Sequence, residues 1–286
     1  MAEYSSFRIL AGRIRMHVLD WPGEEPPILF LHGITANSLA AVPFANLIDH
    51  RLRVVAPDLR GRGVSDAPVS DYGPNMHIRD IAACIERLEI GQYFVGGHSF
   101  GANLSIFLAA KYPDRVKGLI LYEGGALPSG LAAQFLSEYY QNLQYRYATQ
   151  DEYVDRYRGA PLYQPFTPEL EALVRSNLYQ QPDGTYIRRV PRYVIEAERL
   201  SQQQEIWKSL PSLYPKVKCP VLIIRAGNGL FGPEDQVLND EVLDPILAGI
   251  PQAQVITVPE AGHTSIMTIP STMRDNVILE FLGINS

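Results

Sequence analysis

The chain has 286 residues, 46% of them hydrophobic and 20% charged, and carries a formal net charge of −6 from 25 basic and 31 acidic side chains. That length suits one large domain, or a domain carrying a smaller inserted one, and the composition excludes the disordered and fibrous classes. An acidic balance without a Lys/Arg cluster gives no reason to expect a nucleic-acid partner, and two cysteines, Cys84 and Cys219, exclude a disulfide framework and a CxxC metal knuckle.

In chain order, residues 1–15 mix polar and apolar side chains and do not read as a signal peptide. Two strand-like segments, 7–10 and 14–19, flank Ala11-Gly12-Arg13 and suggest an antiparallel edge hairpin. The apolar-leaning stretch 28–48 contains His32, Gly33, Asn37, Pro43 and Asn46, which a membrane helix would not hold. The expectation is a soluble, cytoplasmic protein with no membrane partner. From residue 28 short apolar runs (28–31, 52–56, 93–95, 119–122, 221–224 and 255–258) alternate with helical patterns (38–48, 78–88, 100–112, 240–248 and 273–282). Runs of that kind suit strands buried on both faces, so the expected fold is α/β, a mostly parallel sheet with helices on both sides.

Between Pro128 and Pro215 the rhythm breaks, and no strand-like run of that kind occurs. The segment is polar and helical in pattern, with starts such as Thr167-Pro168-Glu169. It holds eleven of the sixteen tyrosines, and Trp207. We read residues 128–216 as a helical cap inserted into a core domain of residues 1–127 and 217–286. Its aromatics, Tyr139, Tyr140 and Trp207 among them, either line a pocket for an apolar or aromatic small molecule or simply pack a helical subdomain.

Gly97-His98-Ser99-Phe100-Gly101 follows the run at 93–95 and opens the helical pattern at 100–112. This is G-x-S-x-G in a strand–turn–helix setting, where a sharp turn exposes the serine hydroxyl and needs glycines two positions either side. A dinucleotide fingerprint fails here, because His98 stands where its middle glycine must be. Leu29-Phe30-Leu31-His32-Gly33-Ile34 ends a strand in a tight turn that can aim a backbone N–H into the site. The N–H groups of Ile34 and Phe100 are therefore the candidate oxyanion donors. His32 reads as a structural histidine rather than a base. A serine hydroxyl needs a base, and His263, in a loop after the last strand-like run, is the candidate. His77, Asp80 and Cys84 share one helix face, but Ile81 and Ile85 mark it as an ordinary core stripe, and no metal site is expected.

Together His32-Gly33, Asp58-Leu59-Arg60-Gly61-Arg62-Gly63-Val64-Ser65, the Ser99 elbow and Gly262-His263 resemble the α/β-hydrolase fold superfamily over residues 14–127 and 217–282, with 128–216 in the position of its cap. The resemblance implies an eight-stranded, mostly parallel sheet and a Ser–acid–His triad that works without a cofactor. Much of that family places the acid after the penultimate strand. Here Ala226-Gly227-Asn228-Gly229-Leu230 has no carboxylate, and Glu234 and Asp235 come only later. Glu123, just after the run at 119–122, is the favoured acid, as in the minority of the family that includes haloalkane dehalogenases and zearalenone-type lactonases; Asp235 is the alternative. The expected activity is a serine hydrolase cleaving an ester or lactone. A C–C hydrolase or acyltransferase on the same triad, or a small-molecule receptor of the same fold, are the alternatives, and the oligomeric state stays open.

Overall fold

The computed structural model describes residues 3–230 and 235–284. Strands β1 (Ser5–Ala11), β2 (Ile14–Trp21), β3 (Ile28–Leu31), β4 (Val54–Pro57), β5 (Tyr93–His98) and β6 (Val116–Tyr122) are followed, after three short strands β7–β9 described below, by β10 (Val221–Ala226) and β11 (Ala253–Val258). They form one eight-stranded sheet in the order β1-β2-β4-β3-β5-β6-β10-β11. Only the pairings β1–β2 and β2–β4 are antiparallel. The expected edge hairpin and the parallel sheet are thus both present.

Side-chain alternation explains why the short runs are apolar throughout. In β3, Leu29 and Leu31 join the core on one face while Ile28 and Phe30 join that on the other. In β6, Leu119 and Leu121 part in the same way from Ile120 and Tyr122. The first face is covered by α2 (Pro74–Arg87), α3 (Phe100–Lys111) and α9 (Asp240–Gly249), the second by α1 (Val42–Ile48) and α10 (Thr272–Phe281). Helix α3 is buried from Phe100 to Ala109 on every side, so its sequence is apolar all round rather than striped. The helical pattern at 38–48 divides into a 3-10 turn, Ser38–Ala41, and α1, with Pro43 in the first turn of α1, where its missing N–H leaves no helix bond unmade.

The segment 128–216 departs from the expectation of helices alone. It contains α4 (Gly130–Gln141), α5 (Gln150–Arg158), α6 (Pro168–Ser176), α7 (Arg192–Gln202) and α8 (Glu205–Lys208), but also a three-stranded antiparallel sheet of β7 (Arg146–Tyr147), β8 (Leu178–Gln180) and β9 (Tyr186–Arg188). Strands of two or three residues leave no period in the sequence to read. Nor does the packing part at residue 216: Val194 and Ile195 of α7, Trp207, Leu210 and Tyr214 belong to the same core cluster as α3. Tyr147, Tyr153 and Tyr157 pack a separate small core with Leu170, Leu173 and Val174.

Candidate active site

The chain leaves β5 at His98 and enters α3 at Phe100, with Ser99 between them at φ 53°, ψ −114°. A side chain on Gly97 would place its Cβ 2.6 Å from the Gly101 carbonyl carbon, and one on Gly101 would stand 2.0 Å from the Leu31 oxygen. Both obstacles are backbone, so glycine is obligatory at both positions. This crowding holds Ser99 in the left-handed region with its hydroxyl clear of the sheet.

His263 follows β11 in a loop that folds back over the elbow. The Ser99 hydroxyl donates to His263 Nε2 at 3.1 Å, across 164 positions of sequence. On the far side of the ring, Nδ1–H donates to Glu123 Oε2 at 3.2 Å. Glu123 follows β6 at φ 50° and is buried. Its N–H donates to the Ile224 carbonyl (3.0 Å), and its Oε1 accepts the Ala226 N–H at 2.7 Å. The structure therefore brings together Ser99, His263 and Glu123. Asp235 is also buried, but its carboxylate is not bonded to the imidazole. Glu234 lies outside the described residues.

Ile34 and Phe100 both line a cavity of about 220 Å³ that opens onto Ser99. Among the described residues neither backbone N–H has an internal acceptor, as expected for Phe100 at the first position of a helix. Ala126, Leu127, Leu136, Tyr140 and Val237 give this cavity an apolar wall. A second space of about 60 Å³, bordered by Tyr139, Tyr163 and Met267, reaches Ser99 from the His263 side. Tyr139 and Tyr140 thus border the serine's surroundings. Trp207 does not. It is fully buried against Phe100 and Phe107, with Nε1–H donating to Ser201 Oγ at 3.0 Å, so the expectation that it lines the pocket is corrected to a core role.

The other histidines have separate work. Burial pushes His32 down to about 4, and the neutral ring ties two loops together: Nδ1–H donates to Gly33 O (2.8 Å), and Nε2 accepts the Leu59 N–H (3.0 Å). Burial, with the His263 ring nearby, pushes His98 down to about 3; its Nε2–H donates to the His263 carbonyl at 2.7 Å and braces the histidine loop. Asp58 accepts from His17 Nδ1–H (2.8 Å), Ser38 N–H (2.7 Å) and Val64 N–H (2.9 Å). Burial alone would raise its pKa, but the His17 bond, the nearby His32 and these backbone donors outweigh it and hold the carboxyl below its usual range.

Sequence reasoning missed a buried charge cluster behind Ile34 and Phe100. Arg62 pairs with Glu198 of α7 at 2.8 Å, and Glu198 also takes a hydrogen bond from His77 Nε2–H. Arg62 Nε–H donates to the Ile34 carbonyl at 3.1 Å. The Arg62 guanidinium lies 5.3 Å from the Phe100 ring centroid, and the His77 ring meets Phe100 edge-on at 5.2 Å. One cluster therefore grips both candidate oxyanion residues. The Arg62 end sits in the quoted motif; nothing in the sequence singles out Glu198, 136 positions away. No group of His, Cys, Asp and Glu suited to a metal occurs among the described residues, and none of their helices is long and apolar enough to cross a membrane.

A family model described as the alpha/beta hydrolase fold matches residues 26–270. The chain is 29% identical over 267 residues to 2-(acetamidomethylene)succinate hydrolase of Mesorhizobium japonicum, covering 91% of this chain and 89% of that one. It is 25% identical over 278 residues to Lipase 1 of Psychrobacter immobilis, covering 96% and 82%. The crystal structure of an E-2-(acetamidomethylene)succinate hydrolase superposes with a TM-score of 0.85 at 26% identity, over 98% of this chain and 100% of that one.

Proposed function

The chain belongs to the α/β hydrolase fold family, and from that premise we propose that it is a serine hydrolase that cleaves a small ester or lactone through an acyl-enzyme. The observation that carries this reading is the unbroken relay from the Ser99 hydroxyl through His263 to Glu123, at 3.1 and 3.2 Å. Ser99 Oγ attacks the substrate carbonyl as its proton passes to His263 Nε2. Glu123 fixes the tautomer with the proton on Nδ1 and stabilises the imidazolium that forms. The N–H groups of Ile34 and Phe100 take the oxyanion; in a comparable enzyme losing one such donor costs roughly 3–4 kcal/mol. The imidazolium then returns its proton to the leaving alkoxide, and water resolves the acyl-enzyme by the same steps in reverse.

The apolar wall formed by Leu127, Leu136 and Val237 suits an apolar acyl or alcohol portion, and the cavity of about 220 Å³ suits a small one. The relatives with related printed names include a lipase and a succinate-derivative hydrolase, which supports hydrolysis of a carboxylic acid derivative without choosing among them. The test is labelling with a fluorophosphonate followed by a panel of short esters and lactones. Ser99→Ala should lose both the label and turnover while its circular dichroism stays unchanged. Labelling at another residue, or substantial turnover by Ser99→Ala, would remove Ser99 from the reaction.

A further inference from the structure

Four arginines are buried among the described residues: Arg60, Arg62, Arg188 and Arg274. Three of them meet a carboxylate, Arg60 with Asp80 at 2.6 Å, Arg62 with Glu198 at 2.8 Å and Arg274 with Asp275 at 2.7 Å. Arg188, on β9 in the cap and 4% exposed, meets none among the described residues. Its Nε–H donates to the Gln144 carbonyl at 2.8 Å, and its two terminal nitrogens donate to the hydroxyls of Tyr153 (3.3 Å) and Tyr157. The guanidinium also lies 4.9 Å from the Tyr153 ring centroid. A guanidinium has five N–H donors, so these three bonds leave two to spare. Buried charges are otherwise paired. The tyrosines do not supply the missing anion: burial pushes the hydroxyls of Tyr139, Tyr153, Tyr157 and Tyr163 up, so they stay protonated.

Arg188 lines a cavity of about 330 Å³, larger than the one beside Ser99, and neither Ser99 nor His263 lines it. Tyr139, Tyr157 and Tyr163 stand along it with their hydroxyls linked at 3.4 Å, and Leu143 and Leu162 add apolar surface. Tyr139 and Tyr163 form a wall shared with the small space that reaches Ser99 from the His263 side. At the rim Arg156 adds a second cation, while the exposed Glu138 takes its hydrogen bond from Gln134 at 3.0 Å rather than from Arg188.

We propose that this cap cavity is a second binding site, separate from the one at Ser99, and that it takes a small organic carboxylate whose charge is held by Arg188 and the adjoining tyrosine hydroxyls. One buried cation matches one negative charge, and guanidinium and carboxylate share a planar fork geometry. The leucines receive the hydrocarbon part of the ligand. A multiply charged phosphate would face one guanidinium and an apolar wall, and is the poorer match.

The test is calorimetric titration of the intact chain with butyrate, hexanoate, benzoate and glutarate, each against its primary amide. At least one carboxylate should bind where its amide does not, and Arg188→Gln should weaken that binding at least tenfold. Ala160 lines the same cavity without touching Arg188's bonds, so Ala160→Phe should also abolish binding by filling the space, and it decides the matter if Arg188→Gln fails to fold. Amides binding as well as the acids, binding that survives both substitutions, or no carboxylate bound at millimolar concentration would each overturn the proposal.

Discussion

Replacing Glu198 with glutamine probes whether the cluster behind Ile34 and Phe100, the proposed oxyanion donors, sets their positions or only contributes to stability. Arg62 and Glu198 are both 0% exposed. Removing one partner of such a buried pair costs about 3–5 kcal/mol, because the other charge is left without compensation. Glutamine keeps an acceptor near Arg62 and His77, so the lower end applies, and at about 2–4 °C per kcal/mol the melting temperature should fall by about 6–12 °C. The cluster also holds the Ile34 carbonyl and the Phe100 ring. Loosening both should lower kcat about tenfold with little change in KM, a fraction of the roughly 10²–10³ lost when an oxyanion donor is removed outright. Arg62 Nη2, Glu198 Oε2 and His77 Nδ1 lack a hydrogen-bond partner among the described residues, so the native cluster already carries a desolvation cost. The double variant Arg62→Met/Glu198→Leu removes both charges and should recover part of the melting temperature while kcat stays low. A double variant that regains kcat together with stability would refute the positioning argument, as would a Glu198→Gln protein that melts and turns over like the original.

Three further outcomes follow from the geometry. Glu123→Gln should lower kcat by up to about 10⁴-fold, by analogy with the loss of a triad carboxylate, while Asp235→Asn keeps most of it; initial rates on one ester decide, and the reverse order would transfer the acid's role. Gly97→Ala drives a Cβ to 2.6 Å from backbone, with no flexible side chain to yield, so fluorophosphonate labelling should be lost even in whatever fraction stays folded. His32 and His98 are neutral in the fold down to about 4 and about 3, against 6.5 when exposed. Below 6.5 the unfolded chain binds the extra protons, so stability is full above that pH and falls as pH drops from 6.5 towards 4, by up to about 1.4 kcal/mol per pH unit for each ring. Urea midpoints measured between about pH 7.5 and 4.5 should decline along that course; a flat profile would mean that these rings are not held neutral.

What the sequence made legible was whatever depends on short-range pattern. The strands buried on both faces lie on apolar runs, because such a strand has no polar position to hide it, as Ile28-Leu29-Phe30-Leu31 illustrates. The elbow was legible because G-x-S-x-G is a short local spacing, and Gly97 answers to the backbone of Gly101 only four positions on, although Gly101 itself answers to the distant Leu31. The segment 128–216 resisted for the converse reason. Its strands are two or three residues long, and its tyrosines divide between a packed core at Tyr153 and a cavity wall at Tyr163 by tertiary position alone. Trp207 has the composition of a ligand platform, but Phe100 and Phe107 enclose it. The pairing of Arg62 with Glu198, and the burial of Arg188 against tyrosine hydroxyls rather than a carboxylate among the described residues, arise only when distant segments meet.

The position of Glu123, the acid of the proposed mechanism, follows from how the end of β10 is used. Its last residue, Ala226, points its N–H at Glu123 Oε1, and the next, Gly227, turns so tightly that a Cβ there would lie 2.4 Å from the Pro259 carbonyl oxygen. Gly227 N–H then donates to Val258 O (2.9 Å), Asn228 N–H to Ala261 O (3.0 Å) and the Asn228 side-chain amide to Glu260 O (3.1 Å). All three bonds fasten the segment that leads into His263. An aspartate at 228 would put an acceptor where the Glu260 carbonyl needs a donor, so the strand end that holds the acid in much of the family is committed here to the histidine loop. Glu123, one strand over and turned inward by its left-handed backbone, reaches the same imidazole nitrogen from β6. The left-handed φ costs of order 1–3 kcal/mol, and the Ala226 and Ile224 bonds that flank Glu123 are placed to hold it there. The carboxylate and the strand end beside it therefore work as one device, one orienting the imidazole and the other fixing the loop that carries it.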